Sequence, residues 1–183
     1  MRGSIGAILL LACLSATAEE TDACRKQVPS PLQAALSKSF PEFRTPLATD
    51  NPREDIEFDL KEGRQGCLGV AIADFDGDAA NDVLLGLTSL RGSKGLIVVA
   101  LARAEAWQLH TLSEWSFARE ALYVFTSEPG SYERAGSLDG PLEAGELETL
   151  ECPHPFAIFG HSGASGVAYC YGKESWQHVW FSD

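Results

Sequence analysis

The sequence is short of positive charge: 14 Lys plus Arg stand against 26 Asp plus Glu, a net charge of −12 over 183 residues. Binding to a phosphate backbone runs on Lys and Arg, so nucleic acid is excluded as the expected partner. A macromolecular partner, if there is one, should be basic. No apolar run reaches the ~20 residues that a membrane-spanning helix needs. Cys-x-x-Cys and His-x-x-x-His spacings are missing, which removes the usual zinc patterns. No period of about forty residues repeats, so the blades of a β-propeller are not there. What is present is ample for a globular core: 45% of the residues are hydrophobic, and they are spread along the chain.

The amino terminus reads as a targeting segment. Arg2 is followed by an apolar stretch over 5–14 and then Ser15-Ala16-Thr17-Ala18. A basic start, a short apolar stretch and an Ala-x-Ala site fit a secretory signal cleaved before Glu19. The expectation is a signal peptide over 1–18 and one β-rich domain over 19–183, in the periplasm or outside the cell. Leu10-Leu11-Ala12-Cys13 also resembles a bacterial lipobox, which would anchor the chain by lipid through Cys13. The short apolar stretch and Leu11, where that motif has a small residue, favour ordinary cleavage.

Once Cys13 is set aside, Cys24, Cys67, Cys152 and Cys170 remain. Four Cys in an exported chain suggest two disulfides, with three connectivities open. A hairpin is expected from strands near 155–160 and 165–171. Cys152 and Cys170 are equidistant from position 161, beside its loop, so they are expected to pair, leaving Cys24 to Cys67.

Strand-like runs separated by turn residues are read near 67–73, 82–88, 95–102, 107–113, 121–126, 155–160, 165–171 and 175–181. No helix-length pattern lies between successive runs, so the sheet should be antiparallel rather than built from βαβ units. The run 96–101 lacks alternation and should be a central strand covered on both faces. One helix is expected over 31–40, followed by a loop broken by Pro41, Pro46 and Pro52. The polar, acidic, Gly-rich stretch 127–150 reads as an insertion loop or a ragged hairpin with no more than a solvated role. The fold class is therefore mainly β: an antiparallel meander with a short N-terminal helix and one Asp-rich loop.

That loop is Asp74-Phe75-Asp76-Gly77-Asp78-Ala79-Ala80-Asn81-Asp82, set between the apolar runs 70–73 and 83–85. Carboxylates at alternate positions in a tight loop converge on one point and repel unless a cation neutralises them. Hard oxygen ligands of this kind suit calcium. An EF-hand is excluded, since it needs flanking helices and a Glu at position twelve. The stretch 70–87 resembles a single FG-GAP or VCBS-type repeat, the calcium-loop unit of integrin-like β-propeller blades. The resemblance implies side-chain ligands at Asp74, Asp76, Asp78 and Asp82 and a backbone carbonyl at Ala80. Ala79 departs from the pattern, which has Gly there to turn the loop.

Other chemistry has weaker footing. Gly160-His161-Ser162-Gly163-Ala164 falls one residue short of Gly-x-Ser-x-Gly. Ala164 replaces its last Gly, a strand pattern follows instead of a helix, and His178 precedes Asp183, so Ser162 reads as part of a hairpin loop. His110 and His178 lie in strand patterns beside Trp and read as packing residues. Trp107, Trp115, Trp176 and Trp180 suit core packing better than a ligand groove. No catalytic residue is assigned, and the chain is expected not to be an enzyme. The ending, from Tyr169 to Asp183, is similar to that of small exported bacterial proteins with a single such loop. Some related periplasmic proteins are immunity proteins that inhibit cell-wall-degrading toxins. The resemblance implies an exported binding protein of that kind, with a protein partner. The alternatives are a calcium-stabilised module for envelope assembly or adhesion and, third, a wall or lipid hydrolase.

Overall fold

The computed structural model describes residues 22–91, 94–104, 106–116, 122–161, 165–172 and 175–182. The expected signal peptide over 1–18 with Cys13, the residues Ser162 to Ala164 and Asp183 lie outside them. In chain order the elements are α1 (Ala23–Gln27), α2 (Ser30–Ser39), β1 (Phe43–Arg44), α3 (Arg53–Lys61), β2 (Val70–Ala73), β3 (Asp82–Ser89), β4 (Gly95–Arg103), β5 (Ala106–Trp115), β6 (Leu122–Ser127), β7 (Gly130–Glu133), β8 (Thr149–Cys152), β9 (Phe156–His161), β10 (Gly166–Gly172) and β11 (Ser175–Ser182). Every strand pair is antiparallel, as the lack of intervening helices predicts.

The strands form two main sheets. In the first, β3, β4 and β5 are neighbours, and both β1 and β2 pair with β3. The second has the order β11-β10-β9-β6, and β7 and β8 make a separate pair. The non-alternating run in β4 is central and buried on both faces. Ile97, Val99 and Leu101 enter a core shared with Phe159, Val167 and Tyr169 of the second sheet. Leu96, Val98 and Ala100 enter another, with Cys24, Leu32 and Leu36 of α1 and α2. Each such aliphatic side chain contributes about 1.5–3 kcal/mol on full burial. β11 is likewise two-faced: Trp176 and Trp180 pack towards the first sheet, while Phe181 and Val179 face the third core.

The helical layer begins with Asp22, whose Oδ1 accepts the amides of Cys24 (3.0 Å) and Arg25 (3.1 Å) and so caps α1. Its Oδ2 accepts the Ala48 amide at 3.0 Å, tying that cap to the chain beyond β1. The expected helix over 31–40 is α2, with Pro31 in its first turn. The loop expected after Pro52 is instead the helix α3. Pro52 precedes the first turn, where proline starts a helix rather than breaking one, and Glu54 and Asp55 suit the positive end of its dipole. α3 buries only Asp59, so it shows no apolar stripe by which periodicity could find it.

The stretch 127–150 needs a second correction. β7 and β8 pair as the hairpin alternative allows, but the segment is not merely solvated. Tyr132, Leu147 and Leu150 join Phe156, Ile158 and Val179 in a third core on the outer face of the second sheet. The connection between the two strands is tied to β11 by the amides of Leu147 and His178, which reach the carbonyls of His178 and Gly145 at 2.9 Å each. An Arg134–Glu146 ion pair at 2.9 Å, almost shielded from water, braces it. Charged and glycine-rich composition hid the few apolar side chains that do the packing.

Both expected disulfides form: Cys24–Cys67 with Cα atoms 5.0 Å apart and Cys152–Cys170 at 5.7 Å. The register offered for the second is wrong. In the β9–β10 hairpin Gly160 opposes Gly166 and Ala157 opposes Tyr169, so extending that register puts Phe156 opposite Cys170. Cys152 ends β8, before the turn into β9, and its bridge crosses from the outer hairpin to the face of β10. Two disulfides fit an oxidising compartment. No helix among the described residues is long and apolar enough to cross a membrane.

Candidate metal centre

The acidic loop is held at its root by pairing between β2 and β3, where Ala73 opposes Asp82. Phe75, fully buried, anchors it in the core between the two sheets, with the flanking Asp74 half-buried and the Asp76 side chain almost shielded beside it. Oxygens of Asp74, Asp76 and Asp78 come within 4.8 Å of one another, the convergence expected from their spacing. Backbone amides shape the turn. Asp74 Oδ1 accepts from Gly77 (2.7 Å) and Asp78 (3.1 Å), Asp74 Oδ2 accepts from Ala79 (2.9 Å), and Asp78 Oδ1 accepts from Ala80 (2.8 Å). These three carboxylates present the hard oxygens a divalent cation takes.

Two residues show how tightly the loop turns. Ala79 has φ +67°, the one positive value outside glycine among the described residues. The left-handed region costs an L-residue about 1–2 kcal/mol, and the sequence pattern locates that cost at this position. Gly77, at φ +79°, sits under the ring of His154. A Cβ there would stand 2.8 Å from the His154 Nδ1. The Nε2 of the same ring is 2.9 Å from the Tyr171 carbonyl oxygen, so the imidazole joins the loop to the second sheet.

Sequence reasoning missed the cation already present. Arg103, at the end of β4, places its guanidinium 2.7 Å from Asp76 and 3.2 Å from Asp78. The Nη1 also donates to the Ala102 carbonyl at 2.8 Å. Burial works against its charge, but the hydrogen bond to Asp76 and the charges of Asp76, Asp78 and Asp82 outweigh that and raise its pKa. Only the β3–β4 register, with Val83 opposite Ala100, brings position 103 beside the loop.

Asp82 stands apart from the three converging carboxylates. It is fully buried, and both its oxygens take backbone amides: Oδ2 from Phe75 at 2.9 Å and Oδ1 from Ala102 at 2.7 Å. It thereby pins the start of the loop to the end of β4. Burial, partly offset by these two donors and reinforced by Asp76 and Asp78, pushes its pKa up to about 6. Ala80 offers its amide to Asp78.

A second grouping, Cys152, His154 and Cys170, brings ligand-type atoms together, but the two sulfurs are bonded to each other and offer no thiolate. His110 packs edge-on to Tyr171 and Trp176, with ring centroids 5.8 and 6.2 Å away; burial first, then Arg103, lowers its pKa. His178 stacks on Tyr169 at 5.3 Å, and burial lowers its pKa against the pull of Glu146 and Glu143. Trp107 joins the core under the helices, while Trp115, Trp176 and Trp180 join the core between the sheets. Neither a family model, nor a curated protein, nor a solved structure matches this chain, so its function has to be read from its own residues.

Proposed function

We propose that the protein is exported and works as a binding protein, an inhibitor or immunity protein against a basic cell-wall-degrading enzyme. The observation that carries this reading is an excess of twelve negative charges on a β-scaffold clamped by two disulfides. A rigid scaffold loses little freedom on association, and a field of one sign speeds capture of an oppositely charged enzyme. Deleting the gene should sensitise cells to the cognate toxin. The purified pair should associate at low salt and more slowly as salt rises. No sensitisation, together with wall-degrading activity in the pure protein, would reverse the reading in favour of a hydrolase.

A second reading, a calcium-stabilised module for envelope assembly or adhesion, is favoured by the converging Asp74, Asp76 and Asp78. Calcium bound there would take its oxygens from these three residues and replace the charge that Arg103 now supplies. The repeat resemblance implies Asp82 and the Ala80 carbonyl as further ligands, but Asp82 is buried with both oxygens on backbone amides and stands apart from the three. Millimolar calcium should raise the melting temperature, and Asp76→Ala should remove that rise. Calorimetry with no heat and no shift would dismiss calcium.

A further inference from the structure

We infer that the groove between α3, β2 and β6 binds a small amphiphilic cation, an ammonium or guanidinium group carried on an apolar body. The inference goes beyond the inhibitor reading and does not depend on it. The groove encloses about 760 Å³, within the roughly 300–1,000 Å³ of small-molecule sites. Phe58, Ile72 and Phe125 line it and are 61%, 40% and 37% exposed. Exposed apolar residues scattered singly need no explanation, but three around one hollow mark a site.

The aromatic wall is set before any ligand arrives. Tyr123 of β6 opposes Gly160 of β9, where a Cβ would stand 2.6 Å from the tyrosine ring, so the absence of a side chain lets that ring settle across β9. Phe125, two residues on and on the same face of β6, tilts 35° against Tyr123 with ring centroids 5.7 Å apart. On α3 the buried Asp59 accepts the Gly66 amide at 2.8 Å and holds the Arg64 guanidinium. Side chains already in place lose little freedom when a ligand binds.

Charge selects the ligand. Asp59 and Arg64 cancel each other, which leaves Asp55 as the net charge of the lining. Asp55 is half-buried and has no ion pair among the described residues. An uncharged apolar body in the groove would strip water from that carboxylate and leave it unpaired, and an anion would be repelled by it. A cation answers it, and the excess of twelve negative charges on the whole chain attracts the same sign. The rings favour a cation too, because their faces are electron-rich. Phe58 already carries one, the Arg64 guanidinium 5.9 Å from its centroid.

The test is a nuclear magnetic resonance titration of the labelled protein with phenylbutylammonium, an apolar ring and chain ending in one cation. A molecule this small binds in the millimolar range. Amide shifts should concentrate on α3, β2 and β6, and the affinity should fall as salt rises. Phenylbutyrate, the same body ending in a carboxylate, should leave those amides unmoved. Asp55→Asn keeps the shape and should weaken the amine about tenfold, the worth of a charge-assisted contact, with an unchanged melting temperature. Phe58→Ala should weaken it as well, and that side chain is exposed enough for the fold to survive its loss. Equal binding of the carboxylate, or an unchanged affinity in Asp55→Asn, would overturn the site. Shifts centred on the Asp74–Asp78 loop, or none at tens of millimolar amine, would do the same.

Discussion

The four residues of β2 join two opposite kinds of surface. At its far end, the loop Asp74 to Asp82 uses its polar groups internally: carboxylates take the turn's own amides, and Arg103 answers Asp76 and Asp78. On its side away from the loop, the same strand leaves the Ile72 side chain facing a groove, beside the exposed rings of Phe58 and Phe125. One end is polar and closed, the other apolar and open. Charge density is therefore a poor guide to where this molecule has interaction capacity left, because a carboxylate cluster can be consumed by its own turn and one arginine. Exposed apolar side chains have no such internal remedy.

The largest effect should come from the bridges that hold the walls of both regions. Replacing Cys24 and Cys67 together by Ser should cost about 2–4 kcal/mol in denaturant unfolding. Cys67 lines the groove, and its bridge holds α1 to the entrance of β2. The Cys152–Cys170 pair spans 18 residues rather than 43, so its removal should cost ~0.8 kcal/mol less on loop entropy alone. Equal losses would show that the outer hairpin is more than a cover.

The next effect is a pH dependence carried by Asp82. Its folded pKa lies above the ordinary carboxylate value, so the folded state binds the proton more tightly than the unfolded chain does. The stability this provides is complete below about pH 4 and gone above about pH 6, an interval worth about 2–3 kcal/mol at most. Unfolding measured from pH 4 to 6 should show this fall, and Asp82→Asn should flatten it. A curve that rises there in wild type and variant alike would separate Asp82 from the loop's electrostatics.

Arg103→Gln removes the internal cation. It should cost about 1 kcal/mol, an amount shrinking with added salt because the guanidinium is a third exposed. It should also tighten calcium in a calorimetric titration if the ion and the guanidinium compete. Ala79→Gly should stabilise by roughly 0.5–1 kcal/mol, the released left-handed strain less the entropy of glycine. The smallest expected change is Ile72→Lys, within about 0.5 kcal/mol on stability since that side chain is already exposed. Thermal unfolding of wild type and variant side by side checks this.

What could be read from the residues was set by local or strictly periodic physics. The β4 run without alternation demanded cover on both faces, and it has it. Alternating Asp residues bounded by apolar strands placed three carboxylates together, and the pattern flagged Ala79 where the backbone turns left-handed. Cysteine parity implied two disulfides, and the pairs named are right, although the register by which Cys152 was matched to Cys170 does not exist. Tertiary structure alone decided the rest, because it depends on which elements meet. α3 carries no stripe of its own and is visible only as a wall of the groove. The acidic stretch before Cys152 packs through three apolar side chains that composition averages away. Arg103 lies 25 residues beyond Asp78 and reaches it only because β3 and β4 align in one register. Asp82 sits in the motif like its neighbours, yet the β4 amide it meets makes it a buried anchor rather than a fourth converging carboxylate.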